Sequence, residues 1–107
     1  MDLNEYQKLA KENSKVQLEN HPISFAILGL GIGGEAGEVQ DLMKKFFRDL
    51  FGISTPEWHA KMKEELGDLM WYIALIAEQC GYPLESVAES NIEKLKKINE
   101  EKDKNES

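Results

Sequence analysis

The clearest helical pattern in the sequence is TPEWHAKMKEELGDLMWYIALIAEQCGYP, residues 55–83. Its apolar residues recur every three or four positions, which is the spacing of one face of an α-helix. They are Trp58, Met62, Leu66, Leu69, Ile73, Ile76 and Cys80. Thr55 is a suitable N-cap and Pro56 suits the first helical position, whereas the turn at 81–83, with its glycine and proline, predicts the end of the helix. The stretch therefore predicts one long amphipathic helix between these two signals.

The same spacing predicts three further helices around this one. Upstream, Ser24 to about Leu50 keeps a helical apolar stripe although it contains five glycines, each of which lowers helix propensity by up to ~1 kcal/mol. The segments from Asp2 to about Glu19 and from Leu84 to about Ile98 are also amphipathic, and the polar residues 99–107 are expected to be frayed or disordered. Four helices with short connections predict an all-α, four-helix bundle-like domain over residues 1–98 that oligomerises through its helix faces.

Composition restricts the classes of function and location. The formal charge of −7, from 20 acidic and 13 basic residues, disfavours binding to nucleic acid or to an anionic membrane. The sequence shows no signal peptide and no apolar stretch long enough to span a bilayer, so a cytoplasmic location is expected. Cys80 is the single cysteine, which excludes an internal disulfide, and its apolar surroundings predict a small buried hydrophobe.

Two acidic pairs carry the candidate chemistry: Glu35 with Glu38 in the second helix, and Glu65 with Asp68 in the third. Side chains three residues apart share one helix face, and Glu35 interrupts the apolar stripe of its helix, so these carboxylates are predicted to face the interior. An ionised carboxylate removed from water must be protonated, paired or bound to a cation. Oxygen ligands suit a hard divalent cation, which predicts Mg²⁺ with Mn²⁺ as a substitute. The alternative is that some of them are ordinary surface residues.

Basic, polar and aromatic side chains near these pairs are candidate substrate contacts. The candidates for phosphate are Lys44, Lys45, Lys63 and Lys94, together with Asn91, which interrupts the last apolar stripe. Their alternatives are a solvated helix face for the lysines and a buried hydrogen bond between helices for the asparagine. Trp71 and Tyr72 follow the second acidic pair by one turn and could stack on a base, with core or interface packing as the alternative.

Two other readings of the motifs are disfavoured. Residues 29–34 match the G-x-G-x-x-G pattern of a dinucleotide-binding turn, but no β-α-β pattern surrounds them. His21 and His59 have no E-x-x-H partner, which a di-iron carboxylate bundle requires. The acidic pairs therefore stay the leading candidates for a functional site.

Three blocks in order along the chain contain most of these candidates: residues 30–45, 64–72 and 91–97. Together they resemble the MazG-like all-alpha nucleoside triphosphate pyrophosphohydrolases, over about Tyr6 to Lys97. Many relatives continue the last block with an arginine, a tyrosine and a proline, where this chain has Ile-Asn-Glu at 98–100.

This resemblance implies a Mg²⁺ site built from both acidic pairs, with Lys94 and Asn91 in contact with phosphate, in a homodimer or homotetramer. The implied reaction is hydrolysis of an NTP or dNTP to the monophosphate and pyrophosphate by a metal-activated water, as part of nucleotide-pool clean-up. Relatives that cleave dUTP or phosphoribosyl-ATP share such acids and are an alternative. A helical oligomer without catalysis is the alternative outside the enzymes.

Overall fold

The computed structural model describes residues 1–16 and 22–106, and in these ranges it contains four α-helices and no strand. The helices are α1 (Leu3–Glu12), α2 (Pro22–Arg48), α3 (Pro56–Cys80) and α4 (Leu84–Glu106). The predicted all-α, bundle-like fold is confirmed. No helix in the described part of the chain is both long enough and apolar enough to cross a bilayer.

The ends of α3 are formed by the residues that the sequence indicates. Thr55 is extended, and its hydroxyl accepts a hydrogen bond from the backbone N–H of Trp58 at 3.1 Å. Pro56 follows as the first helical residue, where its missing N–H costs nothing. Gly81 adopts a left-handed conformation with φ of 80°, which glycine tolerates at little cost. Both predicted boundaries of this helix are confirmed.

α2 and α3 lie side by side and antiparallel. At one end, Nε1 of Trp58 donates a hydrogen bond to the carbonyl oxygen of Leu42 at 2.8 Å. Further along α3, the ring of Tyr72 lies directly on Gly31, where an added Cβ would overlap it. Gly31 therefore permits a close approach of the two helices that a larger residue would block. Packing of this kind stabilises a helix whose glycines give it low intrinsic propensity.

The hydrophobic core lies where α1, α2 and α3 meet the start of α4. Leu28 and Leu75 are fully buried, and each contributes about 1.5–3 kcal/mol relative to an exposed side chain. Their buried companions are Ala10, Ala74, Ala77 and Leu84, against which Tyr6, Val16, Trp71, Tyr72 and Ile76 pack. The core thus occupies one end of the α2–α3 pair.

Gln7 joins α1 to the start of α4. Its Nε2 donates to the carbonyl oxygen of Tyr82 at 2.8 Å, and its Oε1 accepts from the backbone N–H of Leu84 at 2.8 Å. The side chain is buried and both of its polar atoms have partners, as a buried amide requires. A residue of the first helix therefore caps the first turn of the last one.

Two predicted helix ends are wrong. α1 stops at Glu12, because the Nδ2 of Asn13 donates to the carbonyl oxygen of Leu9 at 2.8 Å and ends the helix. The predicted stop at His21 lies outside the described residues. At the other terminus, residues 99–106 are helical rather than disordered, and α4 continues to Glu106. This segment is rich in glutamate and lysine, which favour helix and stabilise it further at i, i+4 spacing.

The buried face of α3 also differs from the prediction. Leu66 and Ile73 are 48% and 41% exposed, and Cys80 is exposed rather than buried. The buried positions are Glu65, Ala74, Leu75 and Ala77. Periodicity located an apolar face of α3 correctly, but part of that face is not covered by the chain's other described helices.

Candidate metal centre

Three carboxylates converge between α2 and α3. Glu35, Glu65 and Asp68 each present a ligand oxygen that lies within 4.8 Å of the other two. Glu35 follows Gly31 by one turn of α2, and Glu65 precedes Tyr72 by two turns of the antiparallel α3. The contact between Gly31 and Tyr72 therefore places the acidic pairs side by side.

Burial divides these carboxylates. Glu65 is 5% exposed, Glu35 is half-buried, and Asp68 is exposed. Glu38 is also exposed and does not belong to the three-residue cluster. The prediction that all four acids face the interior is thus wrong for Glu38 and Asp68, because these acids lie at the edge of the contact between α2 and α3, where solvent reaches them.

The Oε2 atom of Glu35 is buried and has no hydrogen-bond partner. Burial raises the pKa of the Glu35 carboxyl; contact with Glu65 and the negative charges of Asp68, Glu65 and Glu38 raise it further. An unsatisfied buried polar atom costs about 1–3 kcal/mol, and more for a charged group. Three oxygen donors, an excess of negative charge and one partnerless buried oxygen fit a hard divalent cation.

α1 borders the cluster through Tyr6. Burial raises the pKa of Tyr6, and the negative charge of Asp68 raises it further. The tyrosine packs against the hydrophobic core. The charge of the acidic cluster thus acts on an aromatic side chain of α1.

Lys61 is a cation at the cluster that sequence reasoning missed. Its Nζ lies 3.1 Å from Oε1 of Glu65 and 3.9 Å from Oε2 of Glu64. A lysine four residues from a glutamate usually marks a solvated helix face, so the spacing alone gave no reason to select it. The available signal was its register, since Lys61 shares a helix face with a predicted metal ligand. Lys63, which was a candidate for phosphate, is exposed.

The other predicted phosphate contacts lie away from the cluster. Lys94 and Asn91 are exposed in the first half of α4, and α4 does not pack directly on α2. Within a single chain Asn91 is therefore not in a buried environment. Lys45 forms an ion pair with Asp41 at 2.9 Å, and Lys44 is exposed. Within one chain, the described residues do not bring these four side chains to the three carboxylates.

Trp71 and Tyr72 pack within the protein. Both contact the hydrophobic core, and their rings meet edge to face with centroids 5.0 Å apart. Nε1 of Trp71 donates to the carbonyl oxygen of Ala10 at 3.3 Å. The structure thus favours the packing alternative over stacking on a base for these two residues.

The segment that contains this centre matches a known family. The family model of the MazG nucleotide pyrophosphohydrolase domain matches residues 24–101. The Gene 37 protein of Mycobacterium phage L5 is 42% identical over 66 residues, a match that covers 62% of this chain and 58% of that protein. The matched region thus spans less than two thirds of the phage protein. No solved structure matches the chain.

Proposed function

The chain belongs to the MazG nucleotide pyrophosphohydrolase family, and from this premise we propose that it hydrolyses a nucleoside triphosphate, with ribose or deoxyribose, to the monophosphate and pyrophosphate. The observation that carries the proposal is the convergence of Glu35, Glu65 and Asp68 around a buried oxygen without a partner. These three side chains would hold Mg²⁺, with Mn²⁺ as a substitute. Removal of surplus or damaged nucleotides is the role that the family suggests.

The two kinds of carboxylate suit different tasks. A bound Mg²⁺ supplies charge neutralisation for the phosphates and lowers the pKa of a bound water. Glu35 and Glu65 are held by the α2–α3 contact, so they fix the position of the ion. Asp68 borders solvent; one of its oxygens would hold the ion, and the other accepts the proton of the attacking water. The water oxygen bonds to the α-phosphorus, and the bond to the oxygen bridging the α- and β-phosphorus breaks to release pyrophosphate.

The first test is a substrate panel. The purified protein is incubated with Mg²⁺ and each common ribo- and deoxynucleoside triphosphate, then with dUDP and phosphoribosyl-ATP, and the products are separated by anion-exchange chromatography. We expect monophosphate and pyrophosphate, and no turnover when a chelator is added. Glu65→Gln should lose this activity, whereas Glu57→Gln, which removes the same charge from an exposed position of α3, should retain it.

Each other outcome identifies an alternative. Turnover confined to dUTP and dUDP, or to phosphoribosyl-ATP, would assign the chain to those related activities. No turnover by a folded protein that binds Mg²⁺ would contradict the proposal and favour a binding protein. Activity that persists in Glu65→Gln would remove the acidic cluster from the mechanism.

We also infer that the protein works as a homo-oligomer, because a single chain leaves apolar surface uncovered. The exposed stripes are Leu66, Met70 and Ile73 on α3, and Ile92, Leu95 and Ile98 on α4. All residues of α4 from 89 to 105 are exposed. The radius of gyration of the Cα atoms is 17.3 Å, whereas a compact chain of this length has about 13 Å. A second copy that covers these stripes would account for their composition.

Light scattering coupled to size-exclusion chromatography tests the oligomer. We expect a dimer or tetramer at micromolar concentration for the natural chain. Leu95→Glu combined with Ile98→Glu should shift it toward the monomer, whereas Lys96→Glu on the intervening helix surface should not. A monomer from the natural chain at that concentration would contradict the inference.

A further inference from the structure

The ion pair between Lys61 and Glu65 differs from an ordinary surface pair. The side chain of Glu65 is 7% exposed, whereas that of Lys61 is 52% exposed. The ammonium group therefore reaches from solvent to a carboxylate that belongs to the converging cluster. At 3.1 Å, Nζ neutralises the oxygen Oε1 of a residue whose neighbours are two further carboxylates.

Lys61 neutralises only part of the negative charge of the cluster. Its Nζ approaches Glu65 and Glu64, while Oε2 of Glu35 has no partner. A single positive charge thus faces three converging carboxylates, and an ammonium group at the end of a flexible side chain is a weaker ligand for them than a divalent ion. We propose that Lys61 holds the place of a cation at Glu65 in the metal-free protein, and that a divalent ion binds by displacing its ammonium group.

The displaced ammonium group of Lys61 has other carboxylates close by. Glu64 lies within 3.9 Å of Nζ and its side chain is 64% exposed, so this pairing requires no burial. The negative charge of Glu38, across the interface on α2, also acts on Lys61. The released ammonium group therefore stays at the rim of the cluster, where it binds the phosphates of a nucleotide; this second part rests on the proposed function.

The displacement is tested by metal binding without nucleotide. Mn²⁺ is titrated into the natural protein, Lys61→Gln and Lys63→Gln, and free Mn²⁺ is measured by electron paramagnetic resonance. Lys63 is exposed on the same helix, and its substitution changes the net charge by the same amount. We expect Lys61→Gln to bind Mn²⁺ about threefold to tenfold more tightly than Lys63→Gln, because one charge-assisted hydrogen bond no longer competes. Lys61→Arg should bind like the natural protein.

Equal affinity of the two glutamine variants, weaker binding by Lys61→Gln, or no Mn²⁺ binding by the natural protein would each overturn the proposal. The phosphate contact is tested separately by steady-state kinetics, where Lys61→Gln should raise KM severalfold with little change in kcat, and Lys61→Arg should restore KM. An unchanged KM would overturn that contact alone. Tighter Mn²⁺ binding by Lys61→Gln in a protein without nucleotide turnover would retain the displacement and reject the proposed function.

Discussion

The inner carboxylates, Glu35 and Glu65, and the outer carboxylates, Glu38 and Asp68, have the same spacing in sequence but different surroundings in the structure. The inner ones are buried or half-buried between α2 and α3, and the outer ones are exposed. The ionised inner carboxylates are removed from water, so a cation is needed to stabilise them. The outer carboxylates are already solvated by water. Under the proposed function, one motif would thus supply two roles: inner residues that hold an ion and outer residues that reach substrate and water.

The largest expected effect separates activity from stability at an outer position. Glu38→Gln should lower kcat about a hundredfold or more, because it removes a carboxylate that would reach the attacking water at the rim of the site. Helicity and the melting temperature should stay unchanged, since the side chain is exposed. Circular dichroism and the pyrophosphate release rate check the two halves. Full activity with Mg²⁺ would show that the outer glutamate is dispensable and would contradict a catalytic role for it.

A second substitution acts on the contact that brings the inner carboxylates together. Gly31→Ala places a Cβ against the ring of Tyr72, so we expect a loss of about 1–3 kcal/mol in the free energy of unfolding. Mn²⁺ affinity should fall as well, because Glu35 is one turn away. Urea denaturation and metal titration measure both effects.

Gly33 supplies the control for that substitution. An added Cβ there meets nothing within 4 Å, so Gly33→Ala should stabilise α2 by up to about 1 kcal/mol. If both alanine variants had the same stability, the contact between Gly31 and Tyr72 would not determine how closely the two helices pack.

The third effect is a change in the stability of the metal-free protein. Glu35→Gln removes a charge that lacks a partner and introduces an amide that can donate to Glu65, so we expect about 1 kcal/mol of added stability. The same variant should lose most of the stabilisation that Mg²⁺ gives to the natural chain. Differential scanning calorimetry with and without Mg²⁺ measures both. A lower melting temperature for metal-free Glu35→Gln would contradict the account of the inner pair.

The smallest effect is a pH dependence. The pKa of Glu35 in the folded protein is raised above its ordinary value of 4.5, so folding favours the protonated form. Its contribution to stability is fully present below pH 4.5 and is lost as pH rises through the raised pKa. The difference in unfolding free energy between the natural chain and Glu35→Gln, both metal-free, should follow this window. Asp41 and Asp49 have lowered pKa values and act at more acidic pH.

If the difference in unfolding free energy between the natural chain and Glu35→Gln did not change with pH, it would contradict a raised pKa for Glu35. Added Mg²⁺ should suppress this pH dependence, since the ion stabilises the ionised carboxylate. Glu57→Gln serves as the control, because its substitution removes an exposed carboxylate outside the acidic cluster.

Local signals in the sequence were sufficient to locate the four helices, but not all of their ends. Thr55, Pro56 and Gly81 bounded α3 correctly, because caps and turns depend on a few neighbouring residues. The same local reasoning failed at Asn13 and beyond Ile98, where a side-chain cap shortened one helix and charged residues of high propensity extended another. Such boundaries depend on competition between weak local preferences.

The candidate site was predicted in part. Spacing identified the acidic pairs, and the structure brings Glu35, Glu65 and Asp68 together. Spacing did not show which member of each pair is buried, because that depends on the angle at which α2 and α3 pack. Lys61 was missed for a related reason: its partner Glu65 is buried only by the neighbouring helix. Contacts between distant segments carry this information, and a single sequence does not contain it directly.

The Gln7 contact between α1 and the start of α4 has a consequence for the order of folding. The amide of Gln7 is buried and bonds to the backbone of Tyr82 and Leu84, which are synthesised long after it. As the chain leaves the ribosome, α1 can meet α3 earlier, but this amide has no partner until the loop before α4 has emerged. The docking of α1 is therefore completed only when the start of α4 has formed, so it depends on a contact between segments that are distant in sequence.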